Sequence, residues 1–380
     1  MFQYTAPHKL QSLTKVKNKM KKIIMAAALL IGFTTYHAYA AKLQSELFLN
    51  LPETFNSPAS SDFDKEGNIY FTSPNFHNDA LIKSGEMQKP ALPTIGKIDK
   101  LNKLTTWYTF KAEDMEKSSG KVAPMGIGFG PDDNAYVADM QLWFNGESRL
   151  IRINVKDGKA VSTDVVITGF TFPNGAVWKG NELFVSDTVL KSENGTTISG
   201  VYKFNIQELS ADKPIQIKPF VSYEDNDAHL FETFESTGLL NFGANGLTID
   251  GDGNLYTAIM EEGSVHKTTM DKNNKKIKTS IFATGMIATD GLKWDKRTNK
   301  IYIADLFANA IYSIDMNGKL ELLAQNGDTD GSNGELDAPA EVIVRGDEII
   351  VTNFDAVFDS AAMTNKTAEK PITLSVIKLK

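Results

Sequence analysis

The sequence predicts an all-β protein, a six-bladed β-propeller whose last blade is closed by a strand from near the N-terminus. Three observations predict it. Six times a tight turn runs into a short apolar strand, and a second strand rich in Tyr, Phe, Val and Ile follows. These repeats lie about 45 to 70 residues apart, the length of a four-stranded blade with loops of variable size. The last repeat supplies only the three strands EVIVRG, DEIIVTN and ITLSVIKL, and residues 45–51, SELFLNL, can add the fourth.

In chain order the repeats read SPASSDFDKEGNIYFTS from Ser57, MGIGFGPDDNAYVAD from Met125, NGAVWKGNELFVSD from Asn174, NGLTIDGDGNLYTA from Asn245, DGLKWDKRTNKIYIAD from Asp290 and APAEVIVRGDEIIVTN from Ala338. The third, fourth and fifth open on Asn, Asn and Asp, each followed by Gly. Asn-Gly and Asp-Gly are ordinary turn dipeptides, but turn chemistry does not demand the same register in three consecutive blades. A blade carries its first strand nearest the axis, so Asn174, Asn245 and Asp290 are expected to converge at one rim of the central channel. Two amide oxygens and a carboxylate there suit a hard cation such as calcium, or another divalent cation in its place.

From about residue 45 onward, the six segments and the PNG, ANG and TDG openings resemble the senescence marker protein 30, gluconolactonase and luciferin-regenerating-enzyme family, with paraoxonases and diisopropylfluorophosphatase more distant. The resemblance implies one catalytic calcium held by a Glu from blade one, Asn from blades three and four, and Asp from blade five. Carried over, the last three are Asn174, Asn245 and Asp290. Blade one departs from the pattern: strict register places Ala59 at the Glu position, a small insertion would place Asn56 there, and the nearest upstream acid is Glu53. Loss of that Glu leaves one ligand charge in place of two and weakens divalent binding. Sugar-acid members carry Arg two residues before the blade-three Asn, where it can clamp a carboxylate; Phe172 stands there instead, which favours an apolar lactone or ester.

Turns between second and third strands share the face of the first-strand openings, so they should surround the site. They contain Phe76, His77, Trp143, Phe144, Glu261, Phe307 and Phe358, which with Phe172 are the candidates for a substrate pocket. The stretch 222–242, SYEDNDAHLFETFESTGLLNF, is expected on the same face as a cover. His77 and His229 are the histidines expected near the site, without forming a dyad, and His266 is expected at the surface. The acidic loop 327–337, GDTDGSNGELD, lacks the spacing of a calcium loop and reads as a solvated turn.

The 380-residue chain carries a net charge of −7 with Lys and Arg scattered, which disfavours nucleic acid. KVKNKMKK followed by the apolar run 23–33 and Ala38-Tyr39-Ala40 reads as a signal peptide over 1–40, with an alternative start at Met20 and the propeller over 41–380. The apolar run is too short for an anchor. A periplasmic or secreted protein is expected, with no membrane anchor after cleavage. The sequence has no Cys, which excludes disulfides, thiolate ligands and a thiol nucleophile. No phosphate loop, G-x-S-x-G elbow or H-E-x-x-H occurs.

The expected activity is metal-dependent hydrolysis of a small-molecule lactone or ester, with Asp290 as both ligand and catalytic carboxylate. A binding propeller without turnover, or a metal-free propeller like strictosidine synthase, are the alternatives.

Overall fold

Short apolar runs of alternating residues, separated by turn residues that tolerate positive φ, pair as antiparallel strands. In the computed structural model, which describes residues 43–238 and 240–379, they build six sheets. The leader expected over 1–40 and its alternative start lie outside the described residues. Blade one is Ser61–Phe63, Ile69–Ser73, Thr94–Ile98 and Leu104–Thr109; blade two is Pro124–Phe129, Ala135–Asp139, Ser148–Lys156 and Lys159–Phe170. Blade three is Pro173–Lys179, Glu182–Glu193, Thr196–Asn205 and Leu230–Thr237; blade four is Ala244–Ile249, Leu255–Ile259, Ser264–Met270 and Lys276–Thr284. Blade five is Thr289–Asp295, Lys300–Asp305, Ala310–Asp315 and Leu320–Gln325; blade six is Pro339–Arg345, Glu348–Asn353, Thr373–Lys378 and, from the N-terminal side, Ser45–Asn50.

That last strand pairs antiparallel with Thr373–Lys378, Ser45 opposite Ile377 and Asn50 opposite Thr373, so the expected closure is present. The first strand of each blade touches the first strands of both neighbours, and blade six touches blade one. Hydroxyls stitch the ring. Thr352 Oγ1 donates to the Ala59 carbonyl at 2.7 Å, Thr72 Oγ1 to Met125 at 2.5 Å and Ser186 Oγ to Asn245 at 2.5 Å.

The glycines of the opening dipeptides have a structural reason. A Cβ on Gly126 would fall 1.9 Å from the Asn174 carbonyl oxygen, one on Gly175 2.6 Å from that of Asn245, and one on Gly246 2.5 Å from that of Asp290. Inter-blade approach therefore selects Gly, while the residue before it stays free to carry chemistry.

Two further devices repeat. In blades one, two and four the Asp of the first hairpin (Asp64, Asp132, Asp250) accepts from an Asn amide (Asn68, Asn134, Asn254) and from a buried phenol (Tyr70, Tyr136, Tyr256) at 2.7–3.1 Å. In blades two, three and five an Asp of the second strand, at its end in blades two and five and within it in blade three, caps the chain arriving from the previous blade: Asp139 accepts Ala123 N–H, Asp187 accepts Thr171 and Phe172, and Asp305 accepts Ile287 and Ala288.

The stretch 222–242 is not a cover as a whole. Leu230–Thr237 is the outer strand of blade three, paired with Thr196–Tyr202, because its alternating apolar residues complete a sheet that would otherwise lack its fourth strand. Before it, Ile215–Gln216 pairs in parallel with Ile167 and Thr168 and widens blade two. Among its described residues, only the end of the stretch, Leu240 to Phe242, reaches the axial face. His229 sits at the opposite end of blade three from Asn174. Its ring stacks on Phe204 and its Nδ1 lies 2.8 Å from Asp227 Oδ1. His266 is partly buried, edge-on to Phe234 across the blade three–four interface, and is not a surface residue.

Candidate functional site

The repeated register does bring Asn174, Asn245 and Asp290 together. They line a cavity of about 40 Å³ on the propeller axis with Ala59, Ser60, Met125, Ala340, Glu341 and the three glycines Gly175, Gly246 and Gly291. Asp187 fixes the backbone just ahead of Asn174 through Thr171 and Phe172, and Gly175 N–H donates to Ser186 Oγ at 2.7 Å. Asn245 is buried and hydrogen-bonds the Asp290 carboxylate through its side chain; its Nδ2 also lies 3.6 Å from Met260 Sδ. Asp290 opens to the channel but is enclosed by protein. Burial, then the neighbouring charge of Glu341, holds its carboxyl well above the usual carboxylate range, against the opposing bonds from Asn245 and the Gly291 backbone.

No acid of blade one lines this cavity; Asp62 of its first strand is ion-paired to Lys293 instead. Ala59 lines the cavity, as strict register requires. Asn56 is fully buried and engaged with Asn78 and the His77 N–H, while Glu53 pairs with Lys370 away from the axis. The second axial acid is instead Glu341, opening blade six one residue further along than the ring of Asn and Asp. Its Oε1 occupies the space a Cβ on Gly291 would need, 2.2 Å away. Glu341 Oε2 accepts from Ser60 Oγ at 3.1 Å, and Lys293, ion-paired to Asp62 at 2.8 Å, opposes its protonation; burial nonetheless pushes the carboxyl up to about 7. The signal was in the sequence as the acid of APAEVIV, hidden by the one-residue offset.

Above the ring a second space of about 30 Å³ is lined by Met125, Trp143, Phe172, Thr188, Phe242, Met260, Leu306, Phe354 and Phe358 with the three polar residues below. Its aromatic side chains, backed by Phe76 and Phe307, form a collar. Centroids run Phe76–Trp143 5.2 Å, Trp143–Phe172 5.4 Å, Phe172–Phe242 5.6 Å, Phe242–Phe358 5.8 Å and Phe358–Phe307 5.9 Å, and Phe354 lies 6.0 Å from Phe76. Tilted and edge-on pairs of this kind contribute about 0.5–1.5 kcal/mol each beyond burial.

Of the expected pocket residues, Trp143, Phe172 and Phe358 therefore line the space. The others stand behind it. Phe76 backs Trp143 and Phe354, Phe307 backs Phe358, and Phe144 faces a separate cleft with Pro74, Met115 and Val122. His77 Nε2 bonds the Phe354 carbonyl at 2.8 Å, and burial pushes its pKa down, so it is a support for that wall. Glu261 accepts the N–H groups of Leu240 at 2.7 Å and Phe242 at 3.1 Å, which places the Phe242 ring. Met125, Met260 and Phe354, absent from the sequence expectation, complete the lining. Met125 shares the register of Asn174 in its own repeat, a signal that was available.

Among the described residues no group of three or more His, Asp or Glu side chains is already gathered to hold a metal. The axial ring contributes one carboxylate, two amides and the adjacent Glu341.

No protein-family model matches the chain, and no curated protein matches it in sequence. Solved structures do match in fold. A luciferin-regenerating enzyme aligns at TM-score 0.54 and 12% identity, covering 88% of this chain and 95% of that one. A protein assigned as a gluconolactonase gives 0.52 and 11%, covering 90% and 93%. The PQQ-bound aldose sugar dehydrogenase of Streptomyces coelicolor gives 0.53 and 13%, covering 89% and 99%. At such identity the likeness establishes architecture: the chain is a six-bladed β-propeller sharing its fold with these enzymes.

Proposed function

We propose that the protein is a cation-dependent hydrolase of a small apolar lactone or ester, acting at the axial mouth. The observation that carries this reading is the meeting of Asn174, Asn245 and Asp290, from three consecutive blades, beneath an aromatic collar. Fold neighbours that include a luciferin-regenerating enzyme and a protein assigned as a gluconolactonase support a lactonase-type propeller. The donor set suits calcium or another hard divalent cation, since every side chain offered is an oxygen ligand and Glu341 supplies the second charge missing from blade one. Asn174, Asn245, Asp290 and Glu341 would hold the ion, which when bound polarises a carbonyl and stabilises the developing oxyanion.

The chain's own residues do the rest. Asp290 takes the proton of a water whose oxygen bonds to the carbonyl carbon. The bond to the alkoxy oxygen then breaks and that oxygen takes up the proton, giving acid and alcohol, or a hydroxy acid from a lactone. Asn174 and Asn245 orient the carbonyl. Phe172 and the collar select an apolar acyl or aryl group, because among the described residues no cationic side chain lines the mouth to clamp a sugar acid. Trp143, 43% exposed, is the collar residue free to swing and admit a substrate larger than the space of about 30 Å³.

The test is a panel of lactones and aryl esters with calcium and with chelator. Turnover that disappears with chelator and returns with calcium supports the reading. Silence across the panel with calcium present would sink it and leave a ligand-binding propeller. The basic and apolar leader and the lack of cysteine support export to the periplasm or medium, which fractionation of the native source tests.

A further inference from the structure

The acidic loop 327–337 does not end as a solvated turn. Asp337 is 3% exposed, Asp355, just after the second strand of blade six, is 4% exposed, and Asn365 is 1% exposed. These side chains meet Glu369 under the excursion that joins the second and third strands of that blade. Asn365 Nδ2 donates to Asp355 Oδ1 at 2.8 Å, and the Glu369 N–H donates to Asp355 Oδ2 at 2.9 Å. Asp328 accepts the Lys366 N–H at 3.2 Å and ties the two loops together.

Three oxygens of this cluster, Asp337 Oδ1, Asn365 Oδ1 and Glu369 Oε2, are buried without a hydrogen-bond partner. An unsatisfied buried oxygen costs about 1–3 kcal/mol, more when charged, so three in one cluster call for a common explanation. Nearby cations do not supply it. Lys366 Nζ bonds the Met363 carbonyl, and Lys370 Nζ bonds Glu53 and the Glu86 carbonyl. The acids are crowded: burial first, then the charge of Glu369, raises the Asp337 carboxyl, and burial followed by the charge of Asp337 raises that of Asp355, each against an opposing bond from Asn365. Glu369 is raised by burial and by the charges of Asp328, Asp330 and Glu86, against a bond from Thr367.

We propose that Asp337, Asp355, Asn365 and Glu369 form a calcium site, separate from the axial ring, that fastens the 354–371 excursion to the rim of blades five and six. Oxygen-only ligands, three carboxylates and an amide match the preference of calcium for six to eight hard donors, with water completing the shell. The acids are not already closed into a coordination shell, so the loops draw in around the ion. The same excursion carries Phe354 and Phe358 into the collar, so calcium here sets the wall of the axial mouth.

The test uses full-length protein in an Asp290→Asn, Glu341→Gln background, which removes both axial carboxylates and separates this proposal from the hydrolase reading. Thermal melts are recorded across free calcium, beside the same background carrying Glu369→Gln. The Tm of the parent is expected to climb with the logarithm of calcium concentration, as for any ligand that binds only the folded state. Glu369→Gln relieves like-charge crowding, so in chelator its Tm should be equal or higher, and it should lose most of the calcium-dependent rise. Asn365→Ala should lose it as well. A calcium-insensitive parent, or the same rise in parent and Glu369→Gln, overturns the site.

Discussion

Asp290 stands under two opposing demands. Packing three first strands around the axis encloses its carboxylate, while Glu341 adds like charge beside it, and both raise its affinity for a proton. A group in that position is a strong base once it is ionised, which is the property a hydrolytic role requires. Asp290→Asn is therefore expected to lower turnover of any lactone or ester substrate by about 100 to 10,000-fold, even at saturating calcium. Asn174→Ala removes a neutral ligand only, and its activity should recover in part as calcium rises. Steady-state rates across a calcium series distinguish the two, and equal losses that calcium leaves unchanged would contradict the separate roles.

At the scale of the strand and its cap, the second-strand Asp that caps the incoming chain is a repeated device with a measurable pH signature. Asp187, 1% exposed, accepts the N–H groups of Thr171 at 2.9 Å and Phe172 at 2.6 Å. Burial outweighs those bonds and pushes its carboxyl up to about 6 from an ordinary value of 3.8. The folded state thus keeps a proton that the unfolded chain has already lost. Stability is highest while both are protonated, below pH 3.8, and falls as pH rises through about 6, by roughly 3 kcal/mol as an order of magnitude. Asp187→Asn keeps one accepting oxygen and cannot ionise. Urea midpoints at pH 4, 5, 6 and 7 should show a shallower decline in the variant than in the parent; parallel slopes would refute the assignment.

For the whole molecule, closure is the issue. A ring of blades has no free first-strand edge, but blade six has its outer edge covered only by Ser45–Asn50. Deleting residues through Asn50 leaves the Thr373–Lys378 edge unpaired, at about 1 kcal/mol for each lost ladder bond, and presents a template for pairing between molecules. The truncated protein is expected to melt several degrees lower and to self-associate in proportion to concentration. A truncated monomer with unchanged Tm would show that closure contributes nothing.

The blade count, the closing strand and the axial trio were legible in the sequence for one physical reason. Each blade is a local antiparallel unit whose turns and alternation are written in adjacent residues, and repetition around an axis converts equal register into spatial proximity. Asn174, Asn245 and Asp290 therefore meet although far apart in the chain. What only the tertiary structure decided depends on offsets and loop packing that no local pattern encodes. In blades two to five the pairing irregularity of the first strand spans the opening dipeptide, for instance from Pro173 to Ala176, whereas in blade six it lies between Pro339 and Glu341. That offset puts Glu341 against Gly291, where a register count from sequence finds Ala340. Likewise Phe76, Phe307 and His77 became supports behind the collar, and Phe354 and Phe242 its face, because side chains on one loop compete for the same small space. Asp337, Asp355, Asn365 and Glu369 are brought together only by a long excursion folding back on a neighbouring loop, an association between segments that composition and spacing leave open.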